Sequence, residues 1–153
     1  MKMYIAVLDQ VPDFMVPTLV AHTVLAAHSH FLKLNHIDDV WADGVYKFPQ
    51  YIDWFTNNFS KVVLRVNQKE FDKIAALEHT YLGHENTTLE GRDSCAIPLV
   101  CDDEYRPNVL KYAKMWAPDT TELVKELAAW KQLYKDTDEA DVIYEDGKIV
   151  YVY

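Results

Sequence analysis

Two short stretches of the chain carry side chains that could work together in acid–base chemistry. One holds a histidine at the start of an apolar segment, and the other is a polar turn with two carboxylates and an arginine. With the acid that follows the first apolar run, the candidates are Asp9, Thr18, His22, Glu90, Arg92 and Asp93. A carboxylate beside a histidine can orient the imidazole or act as a base towards water. We expect these groups to converge if the first strand lies beside the turn. Otherwise they are a solvated loop and a surface histidine.

The segment from residue 36 to residue 59 is rich in aromatic side chains. Trp41, Tyr46 and Trp54 could form a wall on which a nucleobase or another flat ligand stacks. Aromatic residues also fill the gaps under long connections, so a small satellite core is the alternative interpretation. The segment is therefore a candidate ligand site on the first interpretation and a packing element on the second.

Other common kinds of site have no matching pattern in the sequence. His28 and His30 would lie about 200° apart around a helix, so they cannot share a metal ion. No glycine-rich phosphate loop precedes a helix, and there is no G-x-S-x-G sequence. On one strand, Cys95 and Cys101 would lie roughly 20 Å apart, which is too far for a disulfide, so we expect both to be reduced. We expect neither a metal nor a cofactor.

Charge and composition narrow the classes of partner. The chain has 153 residues, of which 50% are apolar, enough to form one core and to argue against disorder. The formal net charge is -9, with -5 in residues 117–153 and -4 in the 116 residues before them. A basic patch for phosphates is therefore expected only in the longer part. No apolar run is long enough for a membrane span and residues 1–8 lack the features of a signal peptide, so we expect a cytoplasmic protein without a membrane partner.

The apolar pattern predicts alternating strands and helices. A continuous apolar run at residues 3–8 predicts a central strand buried on both faces. The next helix, at 18–34, is predicted to bury an arc that includes Leu25 and His28, with His22 on the opposite side. A capping box of Asn67 and Glu70 opens a predicted helix at 68–79. The other predicted helices are at 49–57, 104–116 and 119–135. Strands are predicted at 61–66, 81–89 and 94–101, and a hairpin at 142–153.

Five segments follow one another with a characteristic order and spacing: YIAVL, LVAHTVLAAH, KVVLRVNQKEFDKIAAL, LEGRDSCAIPL and VLKYAKMW. Together they resemble the type-II peptidyl-tRNA hydrolases, and are nearest to the divergent eukaryotic branch of that family. The resemblance covers residues 3–116. It implies an α/β fold with three α/β/α layers and a mixed four-stranded sheet over residues 1–116. Residues 117–153 lie outside it and are expected to add a helix and a β-hairpin packed on the same domain.

The resemblance assigns positions on the first helix. Thr18 stands where the family has a catalytic lysine, and His22 stands where it has a motif glutamine. The motif histidine three residues further on is Leu25 here. A lysine at this place would hold a phosphate or steady an oxyanion, so Thr18 changes what the site can bind.

The resemblance also assigns positions in the polar turn. Glu90 takes the place of the catalytic aspartate, Gly91 and Arg92 match the family's glycine and arginine, and Asp93 replaces its threonine. The resemblance therefore implies that Glu90 orients water or pairs with His22, that Asp93 joins the catalytic group, and that Arg92 contacts a phosphate or an oxyanion.

These assignments predict a hydrolase that cleaves an ester at an RNA 3′ end or in a related nucleotide. The catalytic residues would be His22, Glu90 and Asp93, and the ligand would contact Thr18, Arg92, Asp9, Trp41, Tyr46 and Trp54. Two alternatives remain open. The chain could bind a nucleotide or tRNA-derived ligand without the family's reaction. Its Tyr- and Trp-rich, Gly-poor composition is similar to that of small proteins of tailed phages. In a phage, such a protein could sequester or cleave a signalling nucleotide of the host. The chain could also be an interaction module that forms homo-oligomers through the C-terminal hairpin.

Overall fold

A five-stranded mixed sheet lies at the centre of the first of two compact units, Met1–Ala117 and Pro118–Tyr153. Its strands are β1 (Met3–Leu8), β2 (Lys61–Val66), β3 (Tyr81–Gly83), β4 (Cys95–Ile97) and β5 (Lys114–Met115). Their order across the sheet is β3-β4-β1-β2-β5, with β1 and β2 parallel and the other neighbours antiparallel. The computed structural model describes residues 1–35, 46–118, 120–134, 141–145 and 148–152.

Helices cover both faces of this sheet. They are α1 (Val16–Leu34), α2 (Pro49–Asp53) with a π-helical turn at Trp54–Asn58, α3 (Gln68–Ala75) and α4 (Asn108–Tyr112). Met3 and Ile5 of β1 share a cavity with α1. The intervening Tyr4 points the other way, where its hydroxyl accepts a hydrogen bond from Arg106 just before α4. Because α3 contacts α4, the two helices share that second face. The predicted α/β fold is confirmed.

The position and burial of the central strand β1 agree with the sequence prediction. All six residues of β1 are buried, as its uninterrupted apolar run predicts for a strand flanked on both edges and covered on both faces. Above it, α1 buries a stripe of side chains at helical spacing: Val16, Leu19, Thr23, Ala27 and Phe31. This stripe fixes α1 against β1, β4 and β3, and so decides which flanks of the helix stay accessible.

The sheet has five strands rather than four because the predicted helix at 104–116 ends early. After α4 the chain extends as β5, which pairs with β2. The Trp116 N–H then donates to the Val63 carbonyl at 2.9 Å, and Arg65 donates to the Ala117 carbonyl at 2.6 Å. Without β5, the backbone groups on this side of β2 would be left unpaired at an open edge. Pairing with that edge outweighs the local helical pattern.

The strands β3 and β4 are shorter than the predicted ones. β3 ends at Gly83, and a 3-10 turn at Leu89–Gly91 occupies the end of the segment predicted as a strand. β4 ends at Ile97 because Pro98 has no N–H to continue the ladder. Both cysteines are free thiols, as predicted.

The second unit contains the predicted helix and hairpin. The helix is α5 (Thr121–Tyr134), and β6 (Asp141–Glu145) pairs antiparallel with β7 (Lys148–Val152) in a two-stranded sheet of its own. The predicted turn residues 146–147 lie outside the described residues. Packing of this unit on the first, or on another copy, stays a prediction. Within the described ranges, no helix is both long and apolar enough to cross a bilayer.

The predicted capping box is present at the start of α3. The Asn67 side chain accepts from the Glu70 N–H at 2.8 Å, and the Glu70 carboxylate accepts from the Asn67 N–H at 3.1 Å. Replacing Asn67 with alanine is expected to lower the free energy of unfolding by about 1 kcal/mol, because one N–H of the first turn loses its acceptor. Urea denaturation measures the change. Lys69→Ala, on the same exposed turn, is the control, and an equal loss in both variants would contradict the capping role.

Candidate functional site

The closest histidine–carboxylate contact among the described residues joins α1 to the segment after β3. The His22 Nδ1 atom lies 2.5 Å from a carboxylate oxygen of Glu85. The Glu85 side chain is only 13% exposed, whereas the His22 side chain is 65% exposed. Within the part of the chain that the structure describes, this oxygen of Glu85 makes no hydrogen bond, so the two groups are close but not aligned as donor and acceptor. A rotation that aligned them would put the proton on Nδ1 and leave Nε2 to accept one. His22 is therefore a candidate general base.

A second histidine–carboxylate pair lies at the same end of the sheet. His84 directly follows β3 and Asp93 lies shortly before β4, so the antiparallel pairing of these strands brings the two residues together. The His84 Nδ1 atom is 3.7 Å from an Asp93 oxygen, close enough for an ion pair but too long for a hydrogen bond. Both side chains are about half exposed. Asp93, predicted as catalytic, thus contacts a histidine that was not predicted.

A small cleft of about 140 Å³ connects the two histidines. Its walls come from α1 and from β3: His22, Thr23, Ala26, Tyr81, Leu82, Gly83 and His84. This volume is well below the roughly 300–1,000 Å³ of sites that enclose a whole small molecule, so the cleft would take only part of a nucleotide. A substrate would therefore place only its reacting end between the histidines.

Gly83 allows the close approach of α1 to β3 that forms this cleft. A β-carbon at this position would collide with the side chain of Thr23, whose own β-carbon would lie only 2.9 Å away. Thr23 is buried in the stripe of α1 and donates its hydroxyl to the Leu19 carbonyl at 2.7 Å. The missing side chain at Gly83 therefore lets the helix carry His22 beside Glu85.

The prediction that Glu90 pairs with His22 differs from the structure, in which Glu85 takes that place. Glu90 lies in the 3-10 turn and lines a separate surface pocket with Leu89 and Arg92. The turn is tight, with φ of 50° at Leu89, 58° at Glu90 and 75° at Gly91. Because β3 ends at Gly83, Glu85 is the first acid after the strand, and the chain has already turned away when it reaches Glu90.

Strand β1 lies beside the polar turn, the condition on which the expected convergence depended, but the structure does not bring the six candidate side chains into one site. The Leu8 N–H donates to the Ser94 carbonyl at 2.9 Å, and the Arg92 guanidinium donates to the Gln10 side chain at 2.5 Å. Asp9 is exposed next to Gln10, and Thr18 is exposed one turn before His22. The structure thus connects Arg92 to Gln10, just after β1, while Asp9 and Thr18 are exposed and are not among the described residues that line the cleft or the pocket of Glu90.

Only part of the predicted aromatic wall is exposed to solvent. Trp41 lies outside the described residues, and Tyr46 is partly exposed. Trp54 is only 2% exposed, and its indole N–H donates to the Ser60 carbonyl at 2.7 Å. Its ring packs against Tyr51 and Phe59. Trp54 therefore belongs to the core, the second of the two interpretations, and offers little free face for stacking.

A larger apolar cavity of about 480 Å³ lies along the other flank of α1. At 100° per residue, the α1 residues that line it lie about 180° around the helix from those of the cleft. Leu25 was predicted to be buried in the core but is 73% exposed and lines this cavity. His28 lies deeper, where its Nδ1 is 2.8 Å from the Tyr51 hydroxyl. Burial lowers the pKa of His28 and raises the pKa of Tyr51 to about 12, so both are neutral at pH 7.

Two other kinds of chemistry find little support in the described residues. Among them, no group of three or more His, Cys, Asp and Glu side chains is arranged to hold a metal ion. Cys95 is buried, and burial raises the pKa of its thiol to about 12. The thiol therefore stays protonated near neutral pH and is a poor nucleophile.

Comparison with known proteins assigns the chain to no group. No protein-family model matches it, and a search of curated proteins finds no match. The resemblance to the type-II peptidyl-tRNA hydrolases therefore depends on the five quoted segments, and the activity that it implies is treated below as a proposal.

Proposed function

We propose that this chain is a hydrolase that cleaves an ester at an RNA 3′ end or in a related nucleotide. The observation that carries the proposal is the contact of 2.5 Å between His22 and the shielded carboxylate of Glu85, at the mouth of a cleft that a second histidine closes. The order of elements from β1 to α4 agrees with the order on which the resemblance depends, and this agreement supports the proposal.

In the proposed reaction, Nδ1 of His22 donates its proton to a hydrogen bond with Glu85. His22 Nε2 takes a proton from a water molecule while the water oxygen attacks the ester carbonyl, and Glu85 stabilises the resulting imidazolium. The tetrahedral intermediate then expels the alcohol oxygen of the ribose, which receives the proton from His22. The products are a carboxylic acid and a free hydroxyl. The resemblance implies that Arg92 contacts a phosphate of the same substrate; in the structure it lines a pocket separate from the cleft and donates to the Gln10 side chain.

The experiment that tests this proposal compares two glutamates in hydrolysis of an N-acetylated aminoacyl-tRNA. Glu85→Gln is expected to lower the rate of release by about 10²-fold or more, because the amide no longer stabilises the imidazolium of His22. Glu90→Gln removes the same charge from the neighbouring turn and is expected to keep most of the activity. Release of the labelled amino acid, measured by acid precipitation of the intact tRNA, gives the rates. No release by the unchanged protein, or equal rates in both variants, would contradict the proposal.

A nucleotide-binding protein without hydrolysis is the second candidate. It is favoured by Thr18 in the position of the family's lysine, because this change removes a group that would steady an oxyanion, while the exposed Arg92 could still contact a phosphate. Calorimetry with a panel of nucleotides separates the two candidates, since binding without turnover supports the second and no binding argues against it. A cytoplasmic location, assembly into homo-oligomers through the hairpin and a phage origin stay predictions from the sequence.

A further inference from the structure

We propose that the apolar cavity beside α1 is a second binding site, and that it takes a small molecule with an apolar body and an anionic head group that pairs with Lys61. This site is separate from the cleft, because the two are lined by opposite flanks of α1. The inference therefore does not depend on the proposed hydrolysis.

The shape and size of the cavity indicate a small molecule. One wall is the flank of α1 with Val24 and Leu25, the floor is formed by Ile5 and Val63 of the parallel strands, and aromatic rings close the other side. Its volume of about 480 Å³ lies within the roughly 300–1,000 Å³ that is usual for small-molecule sites. The body of the ligand must be apolar, because nearly all of the described lining is aliphatic or aromatic.

Exposed apolar side chains around the opening of the cavity indicate that a ligand covers them. Leu25, Phe55 and Phe59 all line the cavity, and each leaves much of its side chain in contact with solvent. Single exposed apolar residues are ordinary, but a concave cluster of them costs free energy until something covers it. A ligand body that fills the cavity would remove this surface from water.

The positive charge of Lys61 favours a ligand with an anionic head group. Its ammonium donates to the Phe59 carbonyl at 2.6 Å and lies 3.3 Å from the centre of the Phe59 ring. Burial lowers its pKa, and among the described residues no carboxylate forms an ion pair with it. Lys61 is exposed, so water takes the donor capacity that the carbonyl and the ring leave. An anionic head group at the opening of the cavity would pair with this cation, whereas a cationic head group would be repelled.

Titration of the full chain with two matched amphiphiles tests the inference. Decanoate and decylammonium have the same alkyl chain and opposite charges, and both are used below the concentration at which they form micelles. Isothermal titration calorimetry gives the affinities, and methyl shifts of Val24, Leu25 and Val63 in NMR spectra locate the binding. We expect decanoate to bind at least tenfold more tightly than decylammonium and to shift these methyl groups.

Three variants complete the test. Lys61→Met keeps the aliphatic stem and is expected to weaken decanoate binding about two- to fivefold, which is the usual effect of losing an ion pair that is exposed to solvent. Leu25→Glu places a like charge on the exposed rim, without disturbing a buried residue, and is expected to weaken binding more than tenfold. Phe14→Glu changes an apolar side chain that is 80% exposed and lies outside the cavity, and is expected to have no effect.

Several results would overturn the inference. They are equal affinities for the two amphiphiles, decanoate binding that leaves the cavity methyl groups unshifted, and equal weakening by Leu25→Glu and Phe14→Glu. A dimer in sedimentation experiments that Leu25→Glu dissociates, in a protein that binds no decanoate, would also overturn it, because a second copy of the chain would then be the occupant.

Discussion

Replacing His22 with alanine is expected to lower the rate of ester hydrolysis by about 10²–10⁴-fold, the usual contribution of a positioned general base. The free energy of unfolding should change little, because the His22 side chain is 65% exposed on the surface of α1. Steady-state release from an N-acetylated aminoacyl-tRNA measures the first quantity, and urea denaturation measures the second. A large loss of rate with an unchanged fold is the expected combination.

The control for this prediction is another histidine of the same helix. His30 lies outside the cleft and packs against Phe31 and Tyr81, with ring centres 5.4 Å apart in both contacts. His30→Ala therefore removes an imidazole from α1 without touching the acid–base pair, and its rate should stay within a few-fold of the original. If both variants lost the same activity, a general effect on the helix would explain the loss.

A double variant shows whether the two residues of the pair act as one unit. If Glu85 works through His22, then Glu85→Gln should add almost nothing to the loss already caused by His22→Ala. Independent roles would instead multiply the two losses. Multiplied losses would contradict the mechanism in which the carboxylate stabilises the imidazolium.

Local patterns predicted the elements whose burial is complete or whose ends carry a capping signal. The apolar run of β1 indicates a strand buried on both faces, and Asn67 with Glu70 marks the start of α3. The same reasoning failed for β5, because Lys114 and Met115 continue a helical pattern and take strand geometry only to pair with the free edge of β2. Such a partner is fixed by the tertiary fold and leaves no trace in the local sequence.

In the candidate site, too, the sequence predicted some residues and missed others. The sequence singled out His22 and Asp93, but not the residues that pair with them. Glu85 could be found only if β3 was known to end at Gly83, since a strand of full predicted length would place Glu90 at the end of the sheet instead. The glycine itself was the available signal, because a glycine inside a strand pattern often marks the close approach of another element. Here the approaching element is α1, which carries His22.

The period of α1 was predicted correctly, but its orientation only in part. The predicted buried arc included Ala27 and Phe31, which are buried, and Leu25, which is exposed. It did not include the buried Leu19 and Thr23. Apolar residues that line a cavity give the same periodic signal as residues that pack on a sheet. Sequence periodicity therefore could not separate the face of α1 that holds the core from the flank that lines the second site.

Replacing Gly83 with alanine is expected to lower the free energy of unfolding by about 3 kcal/mol, at the upper end for overpacking of a core position. The new β-carbon would collide with the side chain of Thr23, which is held between the helix and the sheet and cannot move outward. Urea denaturation measures the loss. Gly91→Ala is the matched control, since Gly91 has a φ of +75° but no neighbouring atom closer than 3.8 Å. It should cost only about 1 kcal/mol, from backbone strain.

Shortening the opposing side chain separates a steric cause from a general intolerance of side chains in β3. Thr23→Ala removes the hydroxyl and the methyl group that the new β-carbon would meet, so it should recover part of the stability lost in Gly83→Ala and none of that lost in Gly91→Ala.

The substitutions Gly83→Ala and Thr23→Ala also test whether this packing contact affects the hydrolytic rate. If the contact of Gly83 with α1 holds His22 beside Glu85, then Gly83→Ala should lower the hydrolytic rate even where the protein is fully folded, and Thr23→Ala should restore part of it. A variant that is destabilised but fully active when folded would show that the position of α1 tolerates the shift, and that the pair is held by its own contact of 2.5 Å.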